Sequence, residues 1–428
     1  MSVEKKSLGE ATAVEAITKN NSIVVEVGGS IRRITLDKFM DSMNTGDQEL
    51  LRQVAWGVPI KQSVQSSPAW GVVGNQAMWK QFKAKIGRYM LSADGSKAAK
   101  LMSTDSTVYA DGTNVGTITG HVMFHAPRLY FRVVNDAVTN IPYLWMSEYP
   151  IGGHYFESSW IGAYPLVTVN NIGTSRPGYV PDNNKTISAF WALAQKNGAQ
   201  FGLANYDHQR LMMMLNLSEY GNPNVQENIG YGCSGDDNTW NKVNALKTGA
   251  TKSLGDACGA IDISATTGNA KSCRVSLFGI EDAWGLRTEM RQGLYFGNSN
   301  NTAQDGTEVF IYDGNRIPTA DELATHPNGN YRKITRLTSD GWIQEEVICE
   351  YFDLIKSKSG GGSSSYWCDH FWSNSTGQLL GVGGVATGGW YCGLACVRAN
   401  DAFSNANVGW GARLAYYGTP AIVEGKNM

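Results

Sequence analysis

Short apolar runs separated by glycine, asparagine and aspartate turns fill most of the chain after residue 101, and this pattern constrains the fold most strongly. The runs are rich in β-branched and aromatic residues, which favour strands, and the 49 glycines suit turns with positive φ angles. Helical spacing predicts two helices, around Ile187–Ala194 and around Leu211–Ser218, the second between Asp207 as N-cap and Gly221 as C-cap. The predicted strands are Val122–Phe124, Leu129–Val134, Tyr143–Met146, Arg274–Phe278, Glu308–Tyr312 and Trp342–Cys349. This order predicts an α+β fold and argues against a parallel βαβ sheet.

The first 100 residues differ from the rest in charge. They hold 14 lysines and arginines against 9 aspartates and glutamates, a balance of +5, whereas the remainder holds 22 against 29, or −7. No nucleic-acid motif accompanies the basic residues, so no nucleic acid partner is predicted. The segment 23–36 predicts a short hairpin, and the turn at 92–96 is interpreted as a domain boundary, which gives an N-terminal segment over residues 1–100.

An apolar stripe with helical spacing lies within this N-terminal segment. Its members are Met78, Trp79, Phe82, Ile86 and Met90. Such a stripe packs either on the chain's own core or on another subunit. The first interpretation is preferred because single amphipathic stripes usually face a core, and the second would make the segment an oligomerisation or attachment element.

The cysteines and the N-terminus bear on the compartment. The seven cysteines follow no regular framework, so thiols in a cytoplasm are expected rather than a disulfide scaffold. Charged residues occupy the start of the chain, and nowhere do about 18 apolar residues run together. Neither secretion nor membrane insertion is predicted, and an extracellular role therefore requires release by lysis.

The sequence contains few signs of catalysis. The six histidines form no HExxH motif, and no GxSxG, Walker A or strand-linked GxGxxG motif is present. Gly235–Asn238 offers oxygen ligands for calcium, but the same residues are ordinary turn chemistry, and the turn interpretation is preferred. Asp369 and His370 are adjacent without a nucleophile, which favours display in a loop. We therefore expect no enzymatic activity, no cofactor and no metal.

The C-terminal region is the most informative part of the chain. The 52 residues from Tyr366 to Tyr417 contain ten aromatic residues and four charged ones. Aromatic residues interleaved with serine, asparagine and glycine are typical of recognition surfaces. Trp410 and Leu414 are interpreted as structural. The predicted ligand-binding residues are Tyr366, Trp367, Asp369, His370, Ser373, Asn374, Trp390, Tyr391, Asn400, Asp401, Ser404 and Asn405, which lie in turn-rich sequence where exposure is expected.

Two motifs carry a family resemblance. Gly279–Met290, with the sequence GIEDAWGLRTEM, resembles the glycine, acid or amide and tryptophan motif of the formylglycine-generating-enzyme type of C-type-lectin fold. Val408–Leu414 is similar to the closing glycine-x-arginine strand of that fold. The resemblance implies one C-type-lectin-like domain over about residues 101–428.

The segment between the motifs extends the resemblance. Tyr366–Asn407 is similar to the variable segment of phage proteins that are diversified by retroelements, and the whole chain resembles large fibre-like proteins of phages infecting gut Bacteroidales. In such proteins the scaffold is kept while exposed loops on one face bind the host, which implies variable-type loops at about residues 366–407. Diversified asparagine codons do not yield tryptophan. The resemblance therefore implies fixed tryptophans at Trp367, Trp372, Trp390 and Trp410.

Together these features predict a bacteriophage fibre or spike protein, on the head or the tail, that binds the host cell surface. The expected partners are a surface glycan or protein, other virion proteins through the N-terminal segment, and further copies of the chain in a trimer, since fibres commonly have three-fold axes. The protein is expected in the virion after synthesis in the host cytoplasm. Tyr366, Trp367 and Tyr391 are the predicted anchors.

Two alternatives stay open at this stage. A structural virion decoration protein without receptor activity would explain the fold, but not the aromatic, charge-poor loops. A copper-dependent formylglycine-generating oxidase of the same fold uses two cysteines near the closing strand, where Cys392 and Cys396 lie. Their spacing is one residue shorter than the resemblance requires, so packed thiols are the preferred interpretation.

Overall fold

The computed structural model describes residues 22–27, 30–35, 48–60, 70–235, 243–297, 306–312, 317, 331–346, 351–353, 355–359 and 369–428. In this part of the chain the α-helices are α1 (Gln48–Val54), α2 (Gln76–Lys85), α3 (Ile187–Gln195), α4 (Tyr206–Tyr220), α5 (Val225–Asn228) and α6 (Ser264–Thr267). The first strands are β1 (Ser22–Val27), β2 (Ser30–Thr35), β3 (Trp56–Pro59), β4 (Val73–Gly74), β5 (Gly87–Leu91), β6 (Lys97–Met102), β7 (Asp105–Tyr109), β8 (His121–Ala126), β9 (Leu129–Asn135), β10 (Pro142–Ser147), β11 (His154–Phe156), β12 (Ser159–Gly162), β13 (Val167–Val169), β14 (Ile172–Thr174) and β15 (Phe201–Leu203). The later strands are β16 (Gly259–Asp262), β17 (Cys273–Leu277), β18 (Ile280–Glu281), β19 (Thr288–Phe296), β20 (Glu308–Tyr312), β21 (Tyr331–Thr335), β22 (Gly341–Glu346), β23 (Ile355–Ser359), β24 (His370–Ser373), β25 (Leu379–Val382), β26 (Val397–Asp401), β27 (Trp410–Ala412), β28 (Leu414–Tyr416) and β29 (Ala421–Ile422).

These elements confirm the α+β class. The predicted strands and both predicted helices are present, and β1 and β2 form the predicted hairpin. Helix α4 ends as expected at Gly221, whose φ of 56° is left-handed. Its N-cap, however, is Asn205 rather than Asp207. The Oδ1 atom of Asn205 accepts from the His208 amide at 3.0 Å, and His208 Nδ1 accepts from the Asn205 amide at 3.1 Å, which completes a capping box.

One eight-stranded sheet combines strands from residues 87–126 with the last two strands of the chain, β28 and β29. Its order is β15-β28-β12-β8-β5-β6-β29, and β7 pairs with β6. The turn at 92–96 connects β5 to β6, which pair antiparallel, so the interpretation of this turn as a domain boundary is corrected. The guanidinium of Arg88 in β5 also donates to the Gly279 carbonyl at 2.6 Å. The residues of α2, β5 and β6 therefore belong to the same packed body as the later strands.

The apolar stripe of α2 is covered by the chain's own core. Met78, Trp79 and Phe82 are buried, and the Trp79 ring meets the Phe278 ring edge-on at 5.9 Å. The preferred interpretation, that these side chains pack on the chain's own core, is thus confirmed, and the stripe gives no support to subunit assembly. The helical spacing is wrong beyond Lys85, because Ile86 is extended and Met90 lies in β5, although both are buried. Met212 and Met214 are likewise buried in this core, as expected of thioethers that fill irregular gaps. No helix in the described residues has the length and apolar character needed to cross a membrane.

The two resemblance motifs meet in a buried ionic network. Glu289 Oε1 accepts from Arg413 Nη2 at 2.5 Å, and Glu289 Oε2 accepts from Arg291 Nη1 at 2.6 Å. Nearby, Arg274 Nη2 donates to Glu281 Oε1 at 2.8 Å and also binds Asp282. All of these side chains are at most 4% exposed. Pairing each buried charge with an opposite one offsets part of the large desolvation cost.

A nine-stranded sheet positions the C-terminal segment. Its order is β21-β20-β19-β25-β26-β24-β22-β23, with β27 pairing with β19. Strand β19 is buried over its whole length. It pairs antiparallel with β25, which in turn pairs antiparallel with β26. Strands β24 and β22 follow on the far side of β26. The ends of these strands and the loop between β25 and β26 carry most of the predicted binding residues.

Candidate binding surface

Five aromatic side chains gather where β22, β24 and the loop after β25 meet. We call Trp342, His370, Trp372, Trp390 and Tyr391 the aromatic cluster. The rings of Trp342 and Tyr391 stack at 4.8 Å with an interplanar angle of 10°, and His370 lies 4.5 Å from Trp372. Trp390 is 49% exposed, which is unusual for so large an apolar surface. Such a group of partly exposed aromatics is typical of a recognition site.

A concavity of about 440 Å³ opens beside the aromatic cluster. The residues around it include His370, Trp372, Tyr391, Arg398, Asp340 and Thr288, of which Thr288 is fully buried behind the surface. The volume lies within the range of about 300–1,000 Å³ that is usual for small-ligand sites. The lining combines aromatic rings with a few polar groups, which is the composition that orients a small polar ligand.

Hydrogen bonds from buried side chains hold the backbone of the loop that carries Trp390 and Tyr391. A short 3₁₀ helix, Gly389–Tyr391, forms the loop. The amide of Gln226, which is buried, donates to the Trp390 carbonyl at 3.0 Å and to the Cys392 carbonyl. Ser234 Oγ donates to the Gly389 carbonyl at 3.2 Å. The backbone of the loop is therefore held by residues that lie far away in sequence.

The concavity and its edge carry one described arginine, Arg398, and two described aspartates, Asp340 and Asp401. Arg398 Nε lies 3.3 Å from Asp401 Oδ2, and the guanidinium carbon of Arg398 lies 5.9 Å from the centre of the Trp372 ring. Asp340 Oδ1 accepts from the Ser373 amide at 2.6 Å. Burial raises the pKa of Asp401 above its usual range, and the charge of Arg398 opposes this shift. The lining carries no excess of positive charge among the described residues.

The structure places the predicted binding residues in different environments. His370 and Tyr391 line the concavity, and Trp390 lies next to it in the aromatic cluster. At the end of β26, Asn405 donates to Asp401, and Ser404 is exposed. Asn400 accepts through its carbonyl from Asn374 Nδ2 at 3.4 Å. Two of the predicted residues, Tyr366 and Trp367, lie outside the described residues. So do residues 236–238 of the Gly235–Asn238 turn.

Two predicted residues are buried, so the exposure expected of them is wrong. Asp369 is 2% exposed, and its Oδ2 accepts from the Ala395 amide at 2.7 Å. A Cβ atom on Gly393 would lie 2.1 Å from Asp369 Oδ1, so the backbone packs directly on the carboxylate. Ser373 is 4% exposed and donates through Oγ to the Leu337 carbonyl at 2.6 Å. Both side chains satisfy buried backbone groups, which is a structural role.

Asn374 is half-buried and organises a turn. Its Oδ1 accepts from the amides of Thr376 at 2.9 Å and Gly377 at 2.7 Å. An asparagine that hydrogen-bonds to the backbone two residues on stabilises a turn without any ligand. The amide oxygen of Asn374 is therefore used within the protein.

The cysteines of the closing region are packed thiols. Cys392 and Cys396 are both buried, and none of the five cysteines in the described residues forms a disulfide. Burial raises the pKa of Cys392 to about 12 and that of Cys396 well above its ordinary value. Cys392 Sγ donates to the Val385 carbonyl at 3.1 Å. Within the described residues, no three His, Cys, Asp or Glu side chains are grouped closely enough to hold a metal ion.

Sequence reasoning missed part of the surface. Trp342, Asp340 and Thr288 come from strands or turns outside the C-terminal segment, and Arg398 was not among the predicted binding residues. Strand alternation could have indicated that Trp342 faces away from the core, because successive side chains in a strand point to opposite faces and Ile343 takes the buried one. Nothing local indicates that this side borders a concavity.

No protein-family model matches the chain, and no curated protein matches it significantly.

Proposed function

We propose that this chain is the receptor-binding subunit of a bacteriophage fibre or spike and that the aromatic cluster with its concavity binds the host surface. The observation that carries the proposal is the convergence of Trp342, His370, Trp372, Trp390 and Tyr391 around one concavity. Partly exposed aromatics supply large, rigid contact area at a low entropic cost. The resemblance of the two motifs to the C-type-lectin-like fold supports the same function.

Attachment to the virion is assigned to the N-terminal part of the chain before α1. Residues from α1 onward pack into the body, since Leu51 and Trp56 are fully buried. A trimer remains our proposal on the ground that fibres commonly assemble about three-fold axes. Mass measurement of the full-length chain in solution tests it, and a monomer at all concentrations would contradict it.

The experiment for the binding role compares adsorption of purified full-length variants to host cells. Trp390→Ala and Tyr391→Ala are expected to weaken binding about 30-fold or more, because truncating an aromatic anchor costs about 2 kcal/mol or more. Tyr179→Ala is the matched control, since Tyr179 is a 41% exposed aromatic outside the aromatic cluster. Adsorption by both cluster variants at the parent level, with melting temperatures unchanged, would place the binding surface elsewhere. A decoration protein without receptor activity would give that result.

The oxidase alternative is tested separately through its thiols. A two-thiolate copper site needs ionised cysteines, and burial holds Cys392 and Cys396 protonated. We expect Cys392→Ala and Cys396→Ala to leave adsorption unchanged and the parent to bind no stoichiometric copper. Tight copper binding that either replacement abolishes would support the oxidase instead.

A further inference from the structure

A second concavity lies away from the aromatic cluster. Its volume is about 650 Å³, and it opens between the end of α2, strand β6, the end of α4 and residues 256–258. No described residue lines both concavities. The ionisable side chains around the second one, all at least partly exposed, are Lys83, Lys100, Glu219, Tyr220, Asp256 and Cys258. A ligand in this concavity can therefore reach both positive and negative groups.

Asp256 offers a carboxylate oxygen that the protein leaves unused. Its Oδ1 atom accepts from the Arg88 amide at 2.7 Å, while Oδ2 has no hydrogen-bond partner among the described residues and keeps contact with solvent. The carboxylate leaves no room for a Cβ atom on Gly87, so the backbone packs directly against it. Carboxylate oxygens accept from ammonium groups in short, strong hydrogen bonds. Asp256 therefore favours an ammonium group on the ligand.

Two lysines offer the opposite charge. Lys100 Nζ donates to the Ala84 carbonyl at 2.8 Å and to the Ile86 carbonyl at 3.4 Å. Lys83 Nζ donates to Glu219, and 42% of the Lys83 side chain is exposed. An ammonium group carries three N–H donors, so both lysines retain N–H groups that no described residue accepts. These donors favour a carboxylate on the ligand.

The four charges at the concavity disfavour a ligand of one sign. Lys83 pairs with Glu219, and the charge of Lys100 acts on Asp256. A purely cationic ligand would bind Asp256 but meet two lysines, and a purely anionic ligand would meet two carboxylates. A zwitterion, which carries an ammonium and a carboxylate, satisfies both sets of groups. The ring of Tyr220 adds apolar surface for the rest of the ligand.

Cys258 adds no covalent chemistry to this concavity. Its Sγ atom accepts from the Phe278 amide at 3.3 Å, and burial raises the pKa of the thiol to about 12. A protonated thiol is a poor nucleophile, because the thiolate is the reactive form. Binding in the concavity therefore depends on reversible contacts.

We propose that the second concavity is a ligand site for a small zwitterion of the amino acid or short-peptide type. Asp256 binds the ammonium of the ligand, and the ammonium groups of Lys83 and Lys100 bind its carboxylate. The volume lies within the range of about 300–1,000 Å³ that is usual for small-ligand sites. This site goes beyond the proposed function, because the two concavities have no described residue in common.

Matched ligands test whether both charges are needed. Leucine, methionine, phenylalanine and their dipeptides carry both charges, whereas the amide of each carries only the ammonium and the N-acetyl form only the carboxylate. Isothermal titration calorimetry with the full-length protein at pH 7 measures the affinities. At least one zwitterion is expected to bind at least about tenfold more tightly than its own amide and N-acetyl form. Binding by no zwitterion, or equally tight binding by either comparator, would overturn the proposal.

An aspartate variant tests the ammonium contact. Asp256→Asn removes the negative charge but keeps an oxygen for the Arg88 amide, so it is expected to weaken zwitterion binding at least about tenfold. Asp105→Asn is the matched control. Asp105 also accepts from a backbone amide, that of Thr107 at 2.8 Å, but it does not line the concavity. Binding by Asp256→Asn at the level of the control would remove Asp256 from the site.

A lysine variant gives a readout that a purely structural role would not change. Lys83→Met removes one positive charge from the concavity, so it is expected to weaken binding of the zwitterion and to strengthen binding of its amide. Lys85→Met is the control, because Lys85 lies on the same helix, pairs with Glu148 and does not line the concavity. An unchanged ratio of the two affinities in Lys83→Met would contradict the role of Lys83.

The pH dependence of the parent tests the site even if Asp256→Asn does not fold. Burial raises the pKa of Asp256 to about 6, although the Arg88 amide and the charges of Lys100 and Arg88 oppose this shift. Burial and the charge of Asp256 raise the pKa of the neighbouring Tyr89, which stays neutral. Asp256 is mostly ionised at pH 7 and mostly protonated at pH 5, so zwitterion binding is expected to weaken about tenfold between these values. Equal affinity at both pH values would overturn the proposal.

Discussion

His208 makes the stability of the α4 N-cap depend on pH. Its Nδ1 must stay unprotonated to accept from the Asn205 amide at 3.1 Å, and burial lowers its pKa to about 3. Asp207 opposes this shift, whereas Arg291 adds to it. In the unfolded chain the ordinary pKa of about 6.5 returns, so the unfolded state binds more protons below that pH. The stability contributed by neutral His208 is therefore complete above about pH 6.5 and is lost as the pH falls towards 3.

The variant His208→Gln tests this linkage. Glutamine at the third helical position can accept the same hydrogen bond and does not titrate. Between about pH 7 and pH 5 the unfolding free energy of the parent is expected to fall by about 2 kcal/mol more than that of the variant. This figure follows because pH 5 lies about 1.5 units below the pKa of an unfolded histidine, and each unit is worth about 1.4 kcal/mol. Urea unfolding at both pH values measures the difference. Parallel pH dependence of the two proteins would contradict the assignment.

Arginine 413 allows a test of the buried ionic network. Its guanidinium is fully buried and donates to Glu289 and to the Gly162 carbonyl at 2.9 Å. Arg413→Met is expected to destabilise the fold by about 3–5 kcal/mol, because a charge network is broken inside the core. Lys83→Met is the control, since Lys83 pairs with Glu219 at the surface and is expected to contribute at most about 1 kcal/mol. Equal unfolding midpoints in urea for both variants would contradict the expected difference.

At the scale of elements, local sequence patterns predict many of the strands and helices but little of how these elements pack together. The apolar runs, rich in aromatic or β-branched residues, predict β8, β9 and β10 because strand propensity is local, and Gly221 marks a helix end for the same reason. Burial of Asp369 could not be predicted, because it depends on Gly393 packing against the carboxylate after the chain returns. The meeting of Trp342 with Tyr391 depends on sheet order, which no local pattern encodes.

The loop Gly389–Tyr391 should depend on Gln226 without Gln226 touching any ligand. Gln226, in α5, is buried beneath the loop and donates to the carbonyls of Trp390 and Cys392. Gln226→Ala leaves these carbonyls without a donor, so we expect host adsorption to weaken about tenfold while the protein still melts cooperatively. The control is Gln76→Ala at the exposed start of α2, whose amide donates to Val73 at 3.1 Å. Equal adsorption by both variants would show that the loop holds its shape without Gln226.

At the scale of the whole molecule, the corrected boundary changes which fragment can fold. A fragment of residues 101–428 matches the predicted receptor-binding domain, but it lacks β5, which pairs with both β6 and β8 in the eight-stranded sheet. It also lacks Trp56, Trp79 and Phe82 from the main core and the Arg88 contacts to Gly279. A fragment of residues 48–428 keeps all of these groups.

We therefore expect residues 101–428 alone to give no cooperative thermal melt, and residues 48–428 to melt cooperatively near the full-length chain. The physical reason is that β8 would become a sheet edge and that several large apolar side chains would lose their partners, each at a cost of about 2–5 kcal/mol. These losses together exceed the usual net stability of about 5–15 kcal/mol. Near-ultraviolet circular dichroism during heating measures the outcome, with full-length protein as the reference. A cooperative melt of residues 101–428 with full-length ellipticity would restore the boundary near residue 100 and show that α2 and β5 only decorate an independent domain.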